Sequence, residues 1–418
     1  MAQKIIGVDE KVPVARALPL GLQHMMAMFG ATVLVPILTG MDASLAIMCS
    51  GIGTILYLLV TRSKIPSYLG SSFAFIAPVA AVVASKGVEH AMGAIVITGL
   101  VFLVVAGIIR LAGTGWINRI LPPVLVGSVI MVIGIGLSAT AVGMAFNNGG
   151  DTVDYRGLTA AAVTLLTAIA FSSYFKGFIA TIPVLLGVVV GYIVAVLMGL
   201  VNFQPVLDAA WIGLPAFRAP VFDLAAIILV APIALVVVIE HIGHLLVVGE
   251  IVGRDYSKMM PQSLAGDGLG TLAAGFLGGP PQTTYAENMG VMSVTKVYTT
   301  QVFWYAAAFA LLIGGFVPKL KALIQSIPTC VMGGVSLLLF GLIAANGLRM
   351  LVTNKVDFSR NRNLMIVSAV LIVGIGMECS GLKIIAGDYE IPGMAASAVL
   401  GIILNLILPR DKTEKGLI

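Results

Sequence analysis

Residues 222–249 read Phe222-Asp-Leu-Ala-Ala-Ile-Ile-Leu-Val-Ala-Pro232-Ile-Ala-Leu-Val-Val-Val-Ile-Glu240-His241-Ile-Gly-His244-Leu-Leu-Val-Val-Gly249. About 20 helical residues cross the hydrocarbon core of a bilayer, and this run is longer than that. It is apolar on every face, so no amphipathic soluble helix explains it. Deep inside it stand one carboxylate and two imidazoles. An ionisable group at the centre of a bilayer costs at least about 2.5–3.5 kcal/mol, so such residues face a cavity or a partner.

The rest of the chain is of the same kind. Of 418 residues, 59% are hydrophobic and 10% charged, with a mean hydropathy of +1.06. Soluble domains carry about 25% charged residues, so the solvent for most of this chain is lipid. Glycine (48) and proline (19) are plentiful, as suits close-packed and broken membrane helices. The net charge of +5 comes from basic residues scattered in short loops, which argues against nucleic acid as a partner. Cys49, Cys330 and Cys379 are odd in number and set in apolar runs, and read as packing residues, not a disulfide framework.

Apolar runs long enough to span lie at 17–39, 43–61, 91–112, 120–145, 157–175, 177–201, 222–249, 300–317, 329–349, 363–380 and 391–408. Three more, at 66–85, 264–279 and 282–297, are apolar but interrupted. The reading is an all-α polytopic membrane protein with fourteen transmembrane segments and no soluble domain. The first run reads as a retained helix and not a signal peptide. With the N-terminus inside, outer loops hold only Lys86, Arg156, Arg218, Lys319, Lys321 and Lys383, and the other eighteen Lys and Arg lie inside. That bias places both termini in the cytoplasm.

The chain also repeats itself. Gln23-His24 is matched by Glu240-His241, and Pro122 followed by Gly127-Ser128-Val129 is matched by Pro328 followed by Gly333-Gly334-Val335. The stretch around Ser72 corresponds to the one around Tyr285. Two halves of seven spans, 1–205 and 206–418, would have opposite topology. Inverted repeats of this kind belong to secondary transporters, whose sites lie where broken helices meet near the midplane.

The broken stretches are Ile65-Pro66-Ser67-Tyr68-Leu69-Gly70-Ser71-Ser72-Phe73-Ala74-Phe75-Ile76-Ala77-Pro78 and Gly278-Gly279-Pro280-Pro281-Gln282-Thr283-Thr284-Tyr285-Ala286-Glu287-Asn288-Met289-Gly290. Extended backbone in a membrane is tolerated only where it is buried in protein or lines a cavity. Helix N-termini that follow it offer free N–H groups to a ligand carbonyl. Glu240 and His244, four residues apart, share one helix face. His241 projects elsewhere and reads as structural. The order Glu-His-Ile-Gly-His does not match the zinc helix His-Glu-x-x-His, so no metal or other cofactor is expected. Two acids, backbone donors and an aromatic ring (Phe73 or Tyr285) suit a flat lactam or imide. An anion would call for Arg or Lys, and none lies deep in any span.

These residues resemble the nucleobase–ascorbate transporter family, above all its bacterial uracil:proton symporters. The resemblance is carried by Gly21-Leu22-Gln23-His24, Gly70-Ser71-Ser72-Phe73-Ala74-Phe75, Glu240-His241-Ile242-Gly243-His244 and the run Thr283 to Lys296. It implies fourteen segments in two inverted repeats, with short antiparallel strands in segments 3 and 10. It also implies a core domain, about 14–113 and 220–317, that holds substrate against a gate domain, about 117–202 and 325–408. Glu240 and Glu287 would accept the base N–H groups, and the backbone at Phe73 and Tyr285, with Ser72 and Ala286 beside them, would bind its carbonyls. His244, with Glu240, would couple protons, while Asn288, His24 and His241 brace the site. The implied protein is a homodimer in a bacterial cytoplasmic membrane that imports uracil with protons and is not an enzyme. The alternatives are a purine, xanthine or ascorbate carrier on the same scaffold, sodium coupling, an anion exchanger, and an intramembrane enzyme retaining a metal at Glu240, His241 and His244.

Overall fold

The computed structural model describes residues 5–386 and 389–409. The basic residues Lys4, Arg410, Lys412 and Lys415, counted above for orientation, lie outside them. Among the described residues, eight helices are long and apolar enough to cross a membrane, or nine if Thr300–Phe316 and Pro318–Gln325, bent by 82°, form one span. The eight are Val14–Thr39, Ala43–Val60, Val88–Ala112, Pro123–Asn147, Tyr155–Tyr174, Leu224–Val252, Thr329–Thr353 and Asn361–Ser380. Shorter apolar helices run over Phe73–Lys86, Pro183–Leu197 and Gly393–Ile407.

Local chemistry sets the ends. The Asp42 carboxylate accepts from the amides of Ser44 (2.8 Å) and Leu45 (3.3 Å), an N-cap that starts Ala43–Val60. Gly40, at φ +76°, closes the preceding helix by donating to the Pro36 carbonyl. Pro232 tightens one turn at Ala231–Ile233 and divides Leu224–Val252 into Leu224–Val230 and Ala234–Val252.

Two expectations are corrected. Segment 264–279 is not broken: Met260–Leu277 is one unbroken helix. Its glycines are contact points, not breaks. A Cβ on Gly275 would stand 2.6 Å from the Val96 amide, and one on Gly99, in the facing helix, 2.6 Å from the Leu272 amide. Backbone therefore packs on backbone, as small residues permit in membranes. Cys379 is exposed, whereas Cys49 and Cys330 are buried.

Two short strands lie in the broken stretches. β1 (Leu69–Ser71) pairs antiparallel with β2 (Gln282–Thr284), in register Leu69 with Thr284, Gly70 with Thr283 and Ser71 with Gln282. Ser72 N–H to Pro281 O (2.8 Å) and Tyr285 N–H to Tyr68 O (3.0 Å) prolong the ladder at either end. Its outer edges are closed by threonines from neighbouring helices. Thr54 Oγ1 accepts from the Leu69 amide (2.9 Å), and Thr271 Oγ1 accepts from the Gln282 amide (3.0 Å). Without water, each such group must find a partner in the protein. A second hairpin, absent from the sequence reading, pairs Ile384–Ala386 with Tyr389–Ile391.

The same order of elements runs twice. Val14–Thr39, Ala43–Val60, β1, Ile76–Lys86 and Val88–Ala112 are echoed by Leu224–Val252, Met260–Leu277, β2, Ala286–Thr295 and Thr300–Phe316. Pro123–Asn147, Tyr155–Tyr174 and Pro183–Leu197 are echoed by Thr329–Thr353, Asn361–Ser380 and Gly393–Ile407. Packing sorts the helices into two groups, since Met260–Leu277 lies on Val88–Ala112 and Ala43–Val60, while Thr329–Thr353 lies on Pro123–Gly136, Ser138–Asn147 and Tyr155–Tyr174. Between the groups, Phe73 meets Phe340 edge to face with centroids 6.4 Å apart. Gly30 and Val184 also approach closely, and Gln23 Nε2 donates to Thr181 Oγ1 at 2.8 Å.

Candidate functional site

A cavity of about 270 Å³ sits where the two groups face each other. One wall is Phe73, Glu240, His244 and the stretch Thr283 to Glu287; the other is Leu339, Leu342, Ile343 and Asn346. Glu240 and His244 stand near the middle of Ala234–Val252, one turn apart on the face turned to the cavity. Glu287 is in the first turn of Ala286–Thr295, a helix whose N-terminus has no side-chain cap. Its first N–H groups are therefore free to meet an acceptor, and the helix dipole adds positive potential there.

The strands aim this helix end. Tyr285 closes β2, and its hydroxyl donates to the Ser71 carbonyl at 2.7 Å while Thr32 donates to it at 3.3 Å. Its ring lies over Gly70, where a Cβ would come within 2.6 Å. The ring is thus occupied in holding the two strands together, and the aromatic face left to the cavity is that of Phe73. His244 Nδ1 meets Thr284 Oγ1 at 3.2 Å, which fixes the imidazole against β2.

Asn288, His24 and His241, expected to brace the site, lie behind this wall. Asn288 Nδ2 is 3.0 Å from both the Nδ1 and the carbonyl of buried His24, whose ring is 4.5 Å from that of Phe303. His241 faces away from the cavity, with Nδ1 2.7 Å from Asp267 Oδ2 and Nε2 2.9 Å from Ser263 Oγ. Of the residues placed beside the site in the sequence, Ala286 lines the cavity, but Ser72 does not. Its amide is used in the ladder and its hydroxyl is buried without a partner.

Sequence reasoning missed Asp267, fully buried beside the site. The signal is an acid in an apolar, glycine-rich stretch, hidden because the glycines there read as a break. It also missed Thr283, Thr284 and the whole opposite wall. Leu339, Leu342, Ile343 and Asn346 recur at helical spacing, which marks one face without saying what that face meets.

Among the cavity-lining residues there is no Lys or Arg, and the charges are the two carboxylates. The wall offers carboxylate acceptors, main-chain donors and an aromatic face. That set is chemically complementary to a small neutral ring bearing both N–H and C=O groups.

Residues 15–380 match a model of the Permease family (Xan_ur_permease). The chain is 47% identical over 407 residues to a uracil permease of Bacillus subtilis (strain 168), covering 94% of this chain and 93% of that one. It is 44% identical over 411 residues to a uracil permease of Escherichia coli (strain K12), covering 97% and 94%. Among solved structures, the transmembrane domain of a cyanobacterium bicarbonate transporter, BicA, superposes with a TM-score of 0.68 at 16% identity, covering 91% of this chain and 100% of that one. At that identity the likeness is one of fold.

Proposed function

The chain belongs to the Permease family and is a transporter, not an enzyme, and from that premise we propose that it imports uracil across the cytoplasmic membrane by proton symport. The observation that carries the reading is the cavity wall, which joins Glu240, Glu287, Phe73 and an uncapped helix N-terminus with no cation among the lining residues. Uracil presents ring N–H groups to the carboxylates of Glu240 and Glu287, carbonyls to the main chain at Phe73 and Tyr285, and a flat face to the Phe73 ring. Burial disfavours the charged form of any side chain, so a proton taken up beside the site leaves a neutral assembly that crosses the bilayer at less cost.

Counting Met260–Leu277 with the shorter and bent elements as crossings gives fourteen segments, with both termini in the cytoplasm and the second half inverted relative to the first. The group containing 14–113 and 220–317 is the core that holds substrate, and the group containing 117–202 and 325–408 is the gate. Access alternates as the core moves against the gate, and two copies pair through the gate. Glu240 and His244 handle the proton, while His24, His241 and Asn288 hold the wall in place.

The test is uptake of labelled uracil into proteoliposomes, with and without an inward proton gradient and without sodium. Accumulation that collapses with a protonophore, and that unlabelled uracil but not xanthine competes away, supports substrate and coupling ion together. Uptake that ignores the proton gradient overturns the coupling, and competition by xanthine overturns the substrate.

A further inference from the structure

Behind the cavity wall runs a line of buried polar side chains to which the symport reading gives no part in moving the proton. Thr283, in the wall itself, donates to Asp267 Oδ2 at 3.4 Å. The same oxygen is 2.7 Å from His241 Nδ1, and His241 Nε2 is 2.9 Å from Ser263 Oγ. Ser263 Oγ is 2.6 Å from the Tyr57 hydroxyl, and Ser67 lies within bonding reach of that phenol. Asp267, His241, Ser263 and Tyr57 are all fully buried. The line leads from the cavity to the turn 61–68, where Arg62 and Lys64 are exposed.

A buried acid–imidazole pair is a poor way to gain stability, because desolvating both groups offsets most of their attraction. Two apolar residues of equal volume would clamp these helices as well. Asp267 also keeps a second oxygen, Oδ1, buried with no partner, which suits a carboxyl that gains and loses a proton more than one with a fixed structural bond. We infer that Asp267, His241, Ser263 and Tyr57 form a proton path from the cavity wall to the 61–68 turn, separate from the opening through which the substrate passes.

The steps balance without any other reactant. Asp267 takes a proton from the cavity through the Thr283 hydroxyl and gives it to His241 Nδ1. His241 releases its Nε2 proton to Ser263 Oγ, which passes its own to the Tyr57 oxygen, and the phenol gives up its proton toward Ser67. One proton enters, one leaves, and each group returns to its starting composition once the imidazole tautomer resets.

The inference rests on proton symport, and one experiment separates the two. Proteoliposomes loaded with a pH-sensitive dye are given uracil, using wild type, Tyr57→Phe and Ser263→Ala. Each variant is expected to keep wild-type uracil affinity and exchange of labelled for unlabelled uracil, while uracil-driven lumen acidification slows by about 100-fold, the lower end of the loss when a positioned proton-transfer group is removed. Wild-type acidification rates in both variants overturn the path and leave symport standing. Exchange and acidification falling together make the line a helix clamp only, and also overturn it. No acidification with wild type brings down symport, and the path with it.

Discussion

Gly70 shows how little room the site leaves. Its Cα hydrogens face the Tyr285 ring, and a methyl there would stand 2.6 Å from the ring and 3.0 Å from Thr32 Oγ1. Gly70→Ala is expected to push the ring off the Ser71 carbonyl, at about 1–3 kcal/mol for overpacking, and to lower uracil affinity measured by isothermal titration while the protein still folds. Wild-type affinity would show that Tyr285 does not set the wall. Glu240→Gln is expected to keep binding but lose gradient-driven accumulation in the uptake assay. It weakens a hydrogen bond to a charged group, about 1.5–3 kcal/mol, so affinity should drop by roughly 10- to 150-fold at most. Full accumulation by this variant would remove Glu240 from coupling. Glu240 and Glu287 were legible in the sequence because a charge in an apolar run has to be explained. Asp267 was not, because its glycine-rich surroundings read as a break. Asn346 was not either, since an amide on a helix face says nothing about which neighbour it meets.

At the scale of elements, the helices were legible because lipid demands long apolar runs, and the strands were not. Three residues are too few for an alternating pattern to stand out, and only the resemblance placed strands in these stretches. What the sequence did carry was the composition of broken backbone. The Met260–Leu277 helix went the other way: its glycines suggested a break, and tertiary contact made them an interface. Gly275→Leu is therefore expected to separate this helix from Val88–Ala112, and size-exclusion profiles in detergent should lose most of the monodisperse protein. A normal profile would mean the backbone contact is dispensable. A loop gives a pH prediction. In the turn before Asn361–Ser380, bonds from the Ser359 hydroxyl and amide, with Arg360 nearby, hold the Asp357 carboxyl below its ordinary range. A lowered folded-state value stabilises above the unfolded one, and the gain is lost as pH falls through the folded value. Asp357→Asn should thus melt slightly below wild type at pH 7, with the gap closing as the pH falls through the lowered folded-state value. A gap that persists in acid would assign the effect to something other than charge.

For the whole molecule, the proposed motion of core against gate can be stopped at one point. A Cβ on Gly30, in Val14–Thr39, would lie 3.4 Å from the Cβ of Val184, in Pro183–Leu197, close to the spacing of about 3.5–4.5 Å that a disulfide needs. Gly30→Cys with Val184→Cys, on a background with the exposed Cys379 replaced, should crosslink under mild oxidation and lose uracil uptake, and a reductant should restore it. Uptake at the wild-type rate by fully crosslinked protein would rule out relative movement of the two groups here. The repeated motifs suggest two sequence halves, and only the resemblance divides the helices into two groups that each draw on both halves. Where the groups touch was invisible, since Gly30 and Val184 look like any small and branched residue in an apolar run.

The pairing of β1 with β2 also has a consequence for how the chain is made. Leu69 and Thr284 belong to different halves, so the first strand leaves the ribosome long before its partner exists. At about 5–20 residues per second, the wait is on the order of ten to forty seconds. Throughout it the main chain at Leu69–Ser71 has no ladder, in surroundings where each unmatched peptide group costs several kcal/mol. The first half must therefore stay in the wet channel of the insertion machinery, or beside a helper protein, until the second arrives. Biogenesis, more than folded stability, is then the stage at which changes in these two stretches will first be felt.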